Sequence, residues 1–434
     1  MITQLLKAGL AAVDPTIGIK RTCKVENQIL IIGRRRYRLN KYKRIVLVGA
    51  GKAAGSMTET VQKLLGNKLD EGIVVVKDLP TRRFKNIEVH KAGHPTPDIR
   101  SQQAAIKVQK FVSSLTKQDL LIALISGGAS SLLTAPVSGL TLKDKHSTTE
   151  LLLNSGATIQ EMNVVRKHLS TIKGGQFASS TPATIISLIL SDVLGDDLAT
   201  IGSGLTAPDT STFLQARNIL KKYSLWSHLP SPVRHHIKKG ITGVILETPK
   251  PENPRFKHVH HVIIGNNQLA VQHIKKKASQ LGLHSVVQPT FLQGEAKKVG
   301  NNIATLARDM TRTLKTIRRP VLLIWGGEPT VTVRGKKGKG GRAQECALSV
   351  AIGIAGLANI IMAGFGTDGS DGPTNVAGAV VDGKTILRAN TKNLKAKIFL
   401  KSHDSYTFFK KVGGHITTGP SGTNVNDIYL VIAL

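Results

Sequence analysis

Glycine, lysine and arginine dominate residues 335–345, and few of these side chains could help to build a hydrophobic core. Glycine leaves backbone N–H groups uncovered, and fixed cations beside such groups bind polyanions such as a nucleoside triphosphate. We therefore expect this segment to contact phosphate. Its candidate nucleotide-binding residues are Lys339, Gly340 and Gly341, and the arginine that follows them, Arg342, is a candidate catalytic cation.

Two further glycine-rich loops follow apolar, strand-like runs. Residues 49–55 follow the run 45–48, and residues 126–131 follow the run 120–125. Lys52 stands where a helix should begin, so its ammonium group, the helix dipole and free N–H groups together would hold a phosphate or carboxylate. The alternative is a solvated surface lysine. The candidate nucleotide-binding residues of the two loops are Gly49, Gly51, Ser126, Gly127, Gly128 and Ser130.

The loop at residues 126–131 is compatible with two kinds of chemistry. Its small residues, bare backbone and hydroxyl groups are typical of an anion-binding nest. A nucleophilic serine is the alternative, but the Gly-x-Ser-x-Gly elbow that normally presents one is absent. We favour the nest. Three phosphate-binding loops in one chain indicate an enzyme that handles phosphate.

Charged residues after other predicted elements add candidate ligands. Asp192 follows the apolar run 183–190, and a carboxylate at the end of a strand is well placed to hold Mg²⁺. An ordinary turn with a helix N-cap is the alternative. Arg166 and Lys173 belong to a predicted helix over residues 159–173. A solvated helix face is the usual interpretation of such cations, but the glycine pair after Lys173 is compatible with contact to an anion.

Two nucleotide-binding motifs match the sequence by letter but not by context. Residues 378–385 fit the Walker A pattern, yet residues 379–381 are themselves strand-like where a P-loop needs bare backbone. Residues 364–369 fit the dinucleotide fingerprint, but the residues that follow are poorly suited to open the required helix. The polar segment 367–372, with Asp368 and Asp371, is more typical of an active-site loop.

The composition sets the class of protein. The chain has 434 residues, of which 41% are hydrophobic, enough for two domains with large cores. Two distant cysteines exclude a disulfide framework, and neither a membrane-spanning run nor a signal-peptide pattern is present, so we expect a cytoplasmic protein. The net charge of +33 would suit a nucleic-acid-binding protein, but the cations are scattered and only 4% of residues are aromatic. We favour an enzyme with a basic surface.

Short apolar runs alternate with helix-like segments along most of the chain. The alternation predicts the α/β class, with a Rossmann-like αβα sandwich and a mostly parallel sheet, whose ligands bind at the carboxyl ends of the strands. Prolines cluster over residues 227–260 and indicate a domain junction. We predict an N-terminal αβα domain, residues 1–237, and a C-terminal α/β domain, residues 238–434. Strands at residues 259–265 and 328–333 are assigned to the second domain.

The order of these motifs resembles the class II glycerate kinases, the glycerate 2-kinase family with a MOFRL carboxyl-terminal domain. Each motif is weak by itself, but the ordered set spans nearly the whole chain and is specific. In chain order the matching segments are residues 49–53, 92–98, 126–130, 163–170, 173–175, 190–193, 326–331, 338–345, 366–374 and 418–427.

The resemblance implies an active site in a cleft between two α/β domains. It implies ATP-dependent phosphorylation of D-glycerate to 2-phosphoglycerate with Mg²⁺ or another divalent metal. Lys52 and Arg342 are then expected to neutralise charge on the phosphates and substrate. Both are expected to be too flexible or exposed to contribute much to packing, so that their replacement would barely change stability. Candidates for substrate binding are Arg166, Lys173, Glu328, Asp368 and Asp371, and the candidate metal ligand is Asp192.

The sequence departs from the family pattern in places. Leu194 and Leu205 stand where the family usually has proline, and Asn375-Val376 replaces the usual pair after Gly-Pro-Thr. These changes bear on loop rigidity near Asp192 and on a metal role at position 375. The expected partners are D-glycerate and ATP, without nucleic acid or membrane, and a homodimer stays open. The second hypothesis is a hydroxypyruvate reductase, a label that family members have often carried, which requires a dinucleotide site.

Overall fold

The computed structural model describes residues 1–313, 320–333 and 338–434. The chain divides into two compact units. The first unit comprises residues 18–264, and the second unit comprises residues 1–17 and 265–434. Gly335, Lys336 and Lys337, which begin the basic segment singled out from the sequence, lie outside the described residues.

Helices and strands alternate through both units, as the α/β prediction requires. The helices are α1 (Ile2–Ala12), α2 (Pro15–Thr22), α3 (Ala54–Leu65), α4 (Ile99–Ser113), α5 (Ala129–Leu132), α6 (Leu142–Asn154), α7 (Ile159–His168), α8 (Gln176–Ser179), α9 (Phe213–Lys222), α10 (Ser231–Ile241), α11 (Asn267–Gln280), α12 (Ala296–Thr313), α13 (Arg342–Gly353), α14 (Thr385–Asn390), α15 (Ala396–Lys401) and α16 (Ser405–Val412). The strands are β1 (Cys23–Glu26), β2 (Ile29–Ile32), β3 (Arg35–Arg38), β4 (Arg44–Ala50), β5 (Glu71–Val76), β6 (Ile87–Lys91), β7 (Asp119–Ile125), β8 (Thr184–Leu190), β9 (Val259–Gly265), β10 (His284–Val287), β11 (Val321–Gly327), β12 (Ile360–Gly366), β13 (Gly378–Asp382), β14 (His415–Ile416) and β15 (Asp427–Ala433).

The first unit is built on a sheet with the strand order β6-β5-β4-β7-β8-β9. The strands from β6 to β8 run parallel, and every residue of β7 is buried, as is usual for the centre of a parallel sheet. Ala50 pairs with Ile125, and Ile125 pairs with Ile189. Because the strands are parallel, the loops after β4, β7 and β8 leave the sheet at one edge. The predicted fold class is confirmed. A separate antiparallel sheet, β1-β2-β3, belongs to the same unit.

A helical cluster beside this sheet holds α7. Val165 and Leu169 pack with Phe213 of α9 and Val233 of α10 in one buried group. The amino end of α7 is fixed by a capping box between Thr158 and Glu161, which satisfies backbone donors that the helix itself cannot. The helix therefore has a defined direction and a defined rotation, which fixes where its polar side chains lie.

The second unit is built on a mixed sheet with the order β10-β11-β15-β12-β13-β14. Strand β15 runs antiparallel to both of its neighbours, and its first residue, Asp427, pairs with Gly327 on one side and Gly366 on the other. The start of β15 and the ends of β11 and β12 therefore lie in one row. Helices α12 and α13 contribute to the core on this sheet, with Ala307 and Ala347 among its buried residues.

Three predictions about individual elements are wrong. The strand at residues 259–265 was assigned to the second domain, but β9 hydrogen-bonds beside β8 in the first sheet and belongs to the first unit. The predicted domain boundary after residue 237 stays a prediction. The predicted strand over residues 328–333 is reduced to an isolated bridge between Glu295 and Thr330. The helix predicted to reach residue 173 ends at His168.

The amino-terminal residues belong to the second unit. Helix α1 packs against α11, where a Cβ on Gly9 would lie 2.8 Å from Ile274 Cδ1, and Thr423 Oγ1 donates a hydrogen bond to the carbonyl of Val13 at 2.7 Å. No sequence pattern indicates the hydrogen bond between Thr423 and Val13, because it joins residues near the two ends of the chain. Within the described residues, no helix combines the length and apolar character needed to cross a membrane.

The loop after β4 makes a stability test possible. Gly51 has φ +134°, and an added Cβ would lie 2.6 Å from the carbonyl oxygen of Ser126. Gly139 also has positive φ, +83°, but no atom lies within 4 Å of its added Cβ. We expect Gly51→Ala to lower the free energy of unfolding by about 3 kcal/mol, because strain and overpacking combine, and Gly139→Ala by about 1 kcal/mol. Urea titration measures both, and equal losses would contradict the close contact.

Candidate active site

The loops after β4 and β7 are joined to each other by hydrogen bonds. Lys52 N donates to the carbonyl of Gly127 at 2.8 Å, and Ala53 N donates to Ser126 Oγ at 3.0 Å. The absent side chain of Gly51 permits this approach. Residues predicted from the sequence as two separate phosphate-binding loops are thus one structure at the carboxyl edge of the first sheet.

The joined loops leave an open anion-binding surface. Within the described part of the chain, the amides of Gly127 and Gly128 donate to no backbone or side-chain oxygen. Lys52 is exposed, and its Cγ would lie 3.5 Å from a Cβ on Gly128. Open N–H groups beside an exposed ammonium are the arrangement that binds phosphate oxygens.

The pKa of His94 reflects the positive charge of this surface. Its Nε2 would lie 2.9 Å from a Cβ on Gly128, so the ring packs directly on the loop. Burial, followed by the charges of Lys52 and Lys77, lowers the pKa of His94 to about 4. The ring is therefore neutral at pH 7, which leaves the positive charge of this surface to its lysines.

Ser130, at the far end of the same loop, is held by two cations. Arg166 Nη2 donates to Ser130 Oγ at 2.6 Å. Lys173 Nζ donates to Ser130 Oγ at 2.9 Å and to its carbonyl oxygen at 2.5 Å. The structure thus brings together three residues that the sequence had assigned separately to nucleotide and substrate binding.

A third cation, Lys145, which sequence analysis missed, belongs to this group. Its Nζ donates to the carbonyl of Leu169 at 3.0 Å and the residue is buried. Burial, then the charge of Arg166, lowers the pKa of Lys145 to about 7, and the pKa of Lys173 falls well below its usual value for the same reasons. Lysine within a capped helix such as α6 resembles a surface residue in sequence, so no local pattern could have identified it.

Two further polar residues complete the surroundings of Ser130. Ser203 Oγ lies 2.7 Å from Ser130 Oγ and donates to Asn163 Oδ1 at 3.1 Å. Asn163 also accepts a long hydrogen bond, 3.4 Å, from Arg166 Nη1. Asn163 is three residues before Arg166 on α7, a spacing that places both on one face of a helix, and this was the available sequence indication.

Asp192 follows β8 at the same edge of the sheet. It is half-buried, in a turn where Val193 N donates to Ser191 Oγ at 3.4 Å. Among the described residues, no group of three or more histidine, cysteine, aspartate or glutamate side chains could hold a metal ion. A metal at Asp192 would therefore need most of its ligands from water and phosphate oxygens, which is the usual situation for Mg²⁺, and the role of Asp192 stays a prediction.

The corresponding edge of the second unit holds Arg342 between two carboxylates. Its Nε and Nη2 donate to the two oxygens of Asp427 at 2.7 and 3.1 Å, and Nη1 donates to Glu328 Oε1 at 2.8 Å. The expectation that Arg342 is too flexible or exposed to matter for packing is wrong, because the residue begins α13 and pairs with a buried aspartate.

Asp427 is the buried carboxylate whose charge Arg342 compensates. It is fully buried at the start of β15, and it also accepts from Tyr429 Oη at 3.1 Å. Burial raises the pKa of Asp427 to about 7, against the lowering effect of Arg342. Sequence analysis had included Asp427 in a family motif without giving it a role, since its partner lies far away in sequence.

Asp371 has a structural task within the second unit, and its predicted contact with substrate stays a prediction. It is only 3% exposed, and its two oxygens accept from the backbone of Ala343 and Gln344 at 3.0 and 2.8 Å. This carboxylate fixes the first turn of α13 and with it Arg342. Asp368 is half-buried and accepts from Ser370 N at 3.0 Å, so it remains a candidate.

The segment before Arg342 is anchored within the second unit. Lys339 N donates to Asp404 Oδ1 at 2.9 Å, and Lys339 Nζ lies 4.3 Å from the ring centre of Tyr406. Gly340 and Gly341 pass close to Ser405 and Asp371 respectively, leaving no room for side chains. Whether these glycines bind nucleotide stays a prediction.

The two misleading nucleotide motifs are accounted for by the second sheet. Residues 378–382 of the Walker A match form β13, paired antiparallel with β12. The dinucleotide fingerprint continues from β12 into turns, and the next element is a strand instead of a helix. Neither segment has the strand–loop–helix context that its motif needs.

Known proteins match this chain from end to end. Residues 1–238 match the family described as a domain of unknown function, DUF4147, and residues 321–427 match the MOFRL family. A glycerate 2-kinase from Pyrococcus horikoshii is 39% identical over 99% of this chain and 96% of its own. The chain belongs to the glycerate 2-kinase family.

Two further comparisons bear on this family's fold and names. A crystal structure of a glycerate kinase from Thermotoga maritima matches with a TM-score of 0.86 at 36% identity, over 99% of this chain and 98% of that one. A relative from Agrobacterium vitis, 38% identical over 90% of this chain and 87% of its own, carries the provisional name hydroxypyruvate reductase. The two-unit α/β architecture and the expected family are confirmed.

The Arg342–Asp427 pair predicts a pH-dependent stability defect. An unfolded aspartate ionises near pH 4, whereas the folded pKa of Asp427 is about 7. Between these pH values the folded state binds more protons than the unfolded state, so the free energy of unfolding falls as the pH rises. Removing the guanidinium raises the folded pKa of Asp427 further. We therefore expect Arg342→Met to cost about 2 to 4 kcal/mol at pH 8 and clearly less at pH 5.

Denaturant titrations at both pH values measure this difference. Arg388→Met breaks a surface pair with Asp382 and is the matched control, with a small and pH-independent loss. The double variant Arg342→Met with Asp427→Asn should lose the pH dependence. Equal losses for Arg342→Met at pH 5 and pH 8 would contradict a buried, paired carboxylate.

Proposed function

We propose that this protein is an ATP-dependent kinase that phosphorylates D-glycerate to 2-phosphoglycerate. Membership of the glycerate 2-kinase family supports the reaction. The structural observation that carries the proposal is the pair of open amides at Gly127 and Gly128 beside exposed Lys52. Phosphoryl transfer requires groups that position phosphates and neutralise their charge, and these loops supply both.

Four of the predicted residues have a definite role in this proposal. The amides of Gly127 and Gly128 hold phosphate oxygens, and Lys52 neutralises negative charge on the transferring group. Asp192 would offer one oxygen ligand to a divalent cation whose other ligands are water and phosphate, and the cation would supply further charge neutralisation. The prediction that Arg342 acts on the phosphates, with Glu328 and Asp368 near the substrate, remains to be tested.

A hydroxypyruvate reductase is the second candidate, because one relative carries that name. The reaction needs a bound dinucleotide, and the only fingerprint of the sequence lies where no helix follows β12 in the described residues. The +33 net charge keeps nucleic-acid binding as a third possibility, which a steep loss of affinity with rising salt would reveal.

The two enzymatic candidates are separated by parallel assays on the purified protein. We expect ADP release from Mg-ATP to depend on D-glycerate, and the product to be 2-phosphoglycerate and not the 3-phosphate isomer. We expect no NADH or NADPH oxidation with hydroxypyruvate. Reductase activity without glycerate-dependent ADP release would overturn the proposal.

Lys52 is expected to be essential for turnover but not for stability. It is exposed, so Lys52→Ala should leave the melting temperature nearly unchanged, whereas the loss of a cation at the transferring phosphoryl group costs on the order of a thousandfold in rate. Lys63→Ala, which removes an exposed lysine from helix α3, is the matched control. Equal turnover of the two variants would exclude the catalytic role of Lys52.

A further inference from the structure

Three cations in the first unit lie together without a carboxylate. Lys145, Arg166 and Lys173, here called the cation cluster, influence one another electrostatically, and none forms an ion pair with a described acidic residue. Lys173 is 1% exposed and Lys145 is 6% exposed. Burying like charges without a counter-ion is costly. The cluster therefore favours an anion that the described residues do not provide.

Lys173 has no hydrogen-bonding capacity left for that anion. An ammonium group has three donors, and Lys173 Nζ donates to the Ser130 carbonyl, to Ser130 Oγ and, at 3.2 Å, to the carbonyl of Leu133. Lys145 Nζ uses one of its three donors on the carbonyl of Leu169 and is only 6% exposed. Burial disfavours the charged form of both lysines, and an anion bound at Arg166 would favour it, so the two lysines would act behind Arg166 through their charge.

The hydroxyl of Ser130 is saturated as well. It accepts from both Arg166 and Lys173. Since Ser203 gives its own proton to Asn163, the contact between the two serine hydroxyls leaves Ser130 as the donor to Ser203. A hydroxyl with two acceptor positions and one donor in use has none left for a ligand. Ser130 therefore orients the cations, a role distinct from the predicted contact with nucleotide.

Arg166 is the member that can still bind. Its guanidinium has five N–H donors, of which one contacts Ser130 and one makes the long contact with Asn163. Its remaining donors have no partner within the described residues, and the residue is half-buried rather than enclosed. Helix α7 and Ser130 fix the plane of the guanidinium before any ligand arrives.

We propose that Arg166 binds the carboxylate of the acid substrate through paired hydrogen bonds, with Lys145 and Lys173 supplying charge behind it. This inference rests on the proposed function, because it assigns the two ends of the substrate to different parts of the 126–131 loop. A planar guanidinium matches a carboxylate in two parallel hydrogen bonds. The phosphoryl end is left to Gly127, Gly128 and Lys52, and the site selects short hydroxy acids over uncharged polyols.

The test measures binding without turnover. Isothermal titration with D-glycerate, in the absence of nucleotide, compares the wild type with Arg166→Met, Arg166→Lys and Arg234→Met. Arg234 is a half-buried arginine on α10 bonded to the carbonyl of Ser227, and it is the matched control. We expect Arg166→Met to weaken D-glycerate binding about 100-fold, Arg166→Lys about tenfold, and Arg234→Met less than twofold.

Comparing D-glycerate with glycerol and with a non-hydrolysable ATP analogue distinguishes a carboxylate site from a phosphate site. The wild type should bind D-glycerate far more tightly than glycerol, and Arg166→Met should lose most of that difference. The affinity of Arg166→Met for the ATP analogue should change less than twofold. Loss of affinity for the ATP analogue with retained D-glycerate binding would overturn the proposal. If Arg166→Met does not fold, Arg166→Lys with the same ligand pair decides, because unchanged discrimination would overturn the proposal equally.

Lys173 is a positioning residue in this scheme, which gives it a distinct signature. Lys173→Met should raise the KM for D-glycerate more than it lowers kcat, without changing the KM for ATP, and Lys173→Arg should recover part of the loss. The experiments distinguish failure of the proposed kinase function from failure of the proposed role of Arg166. D-glycerate binding that depends on Arg166 without ADP release would refute the kinase and leave this inference intact, whereas turnover with normal D-glycerate affinity in Arg166→Met would do the reverse.

Discussion

The site in the first unit depends on two buried lysines, Lys145 and Lys173, and half-buried Arg166, which lie together without a carboxylate partner among the described residues. Lys145 and Lys173 are kept in place by carbonyl oxygens and by Ser130, which can solvate an ammonium group but cannot neutralise it. The protein tolerates this cost because α7 is fixed independently by its capping box and by packing against α9 and α10. Packing in the helical cluster thus stabilises an electrostatically unfavourable site. Such sites are common where function requires groups with shifted pKa values.

Arg342 in the second unit, unlike the cation cluster, is paired with carboxylates of the protein. Asp427 and Glu328 both pair with it, so its charge is compensated within the protein. A compensated cation is rigid and oriented, whereas an uncompensated one attracts ligand anions strongly. Under the proposal, the cation cluster would depend on an external anion, whereas Arg342 depends on carboxylates of the protein itself, so their responses to pH and to ligand should differ.

Glycine spacing and hydrophobic periodicity were sufficient to locate the loops after β4 and β7. Only glycine fits at Gly51, where the backbone is left-handed and Ser126 is in contact, so this local requirement was visible in the sequence. The parallel register that joins the loops followed from the alternation of strands and helices. Family resemblance then ordered the remaining motifs, and the fold class followed from both.

Long-range pairing explains what the sequence did not reveal. Strand β9 resembles the start of a new domain, yet it completes the first sheet. Asp371 has the residue type of a substrate ligand, but its oxygens cap a helix that begins at a distant Arg342. Lys145 lies on a helix with polar residues on several sides, and only the packed structure shows that its ammonium is buried. Each of these depends on a partner that is remote along the chain.

The central claim is that the cation cluster is completed by the carboxylate of the substrate. A crystal structure of the protein with D-glycerate and a non-hydrolysable ATP analogue tests it directly. We expect the glycerate carboxylate to lie within hydrogen-bonding distance of the Arg166 guanidinium, with the phosphates of the analogue at Gly127, Gly128 and Lys52. A phosphate at Arg166, or a glycerate carboxylate bound at the Gly127–Gly128 amides, would contradict the account.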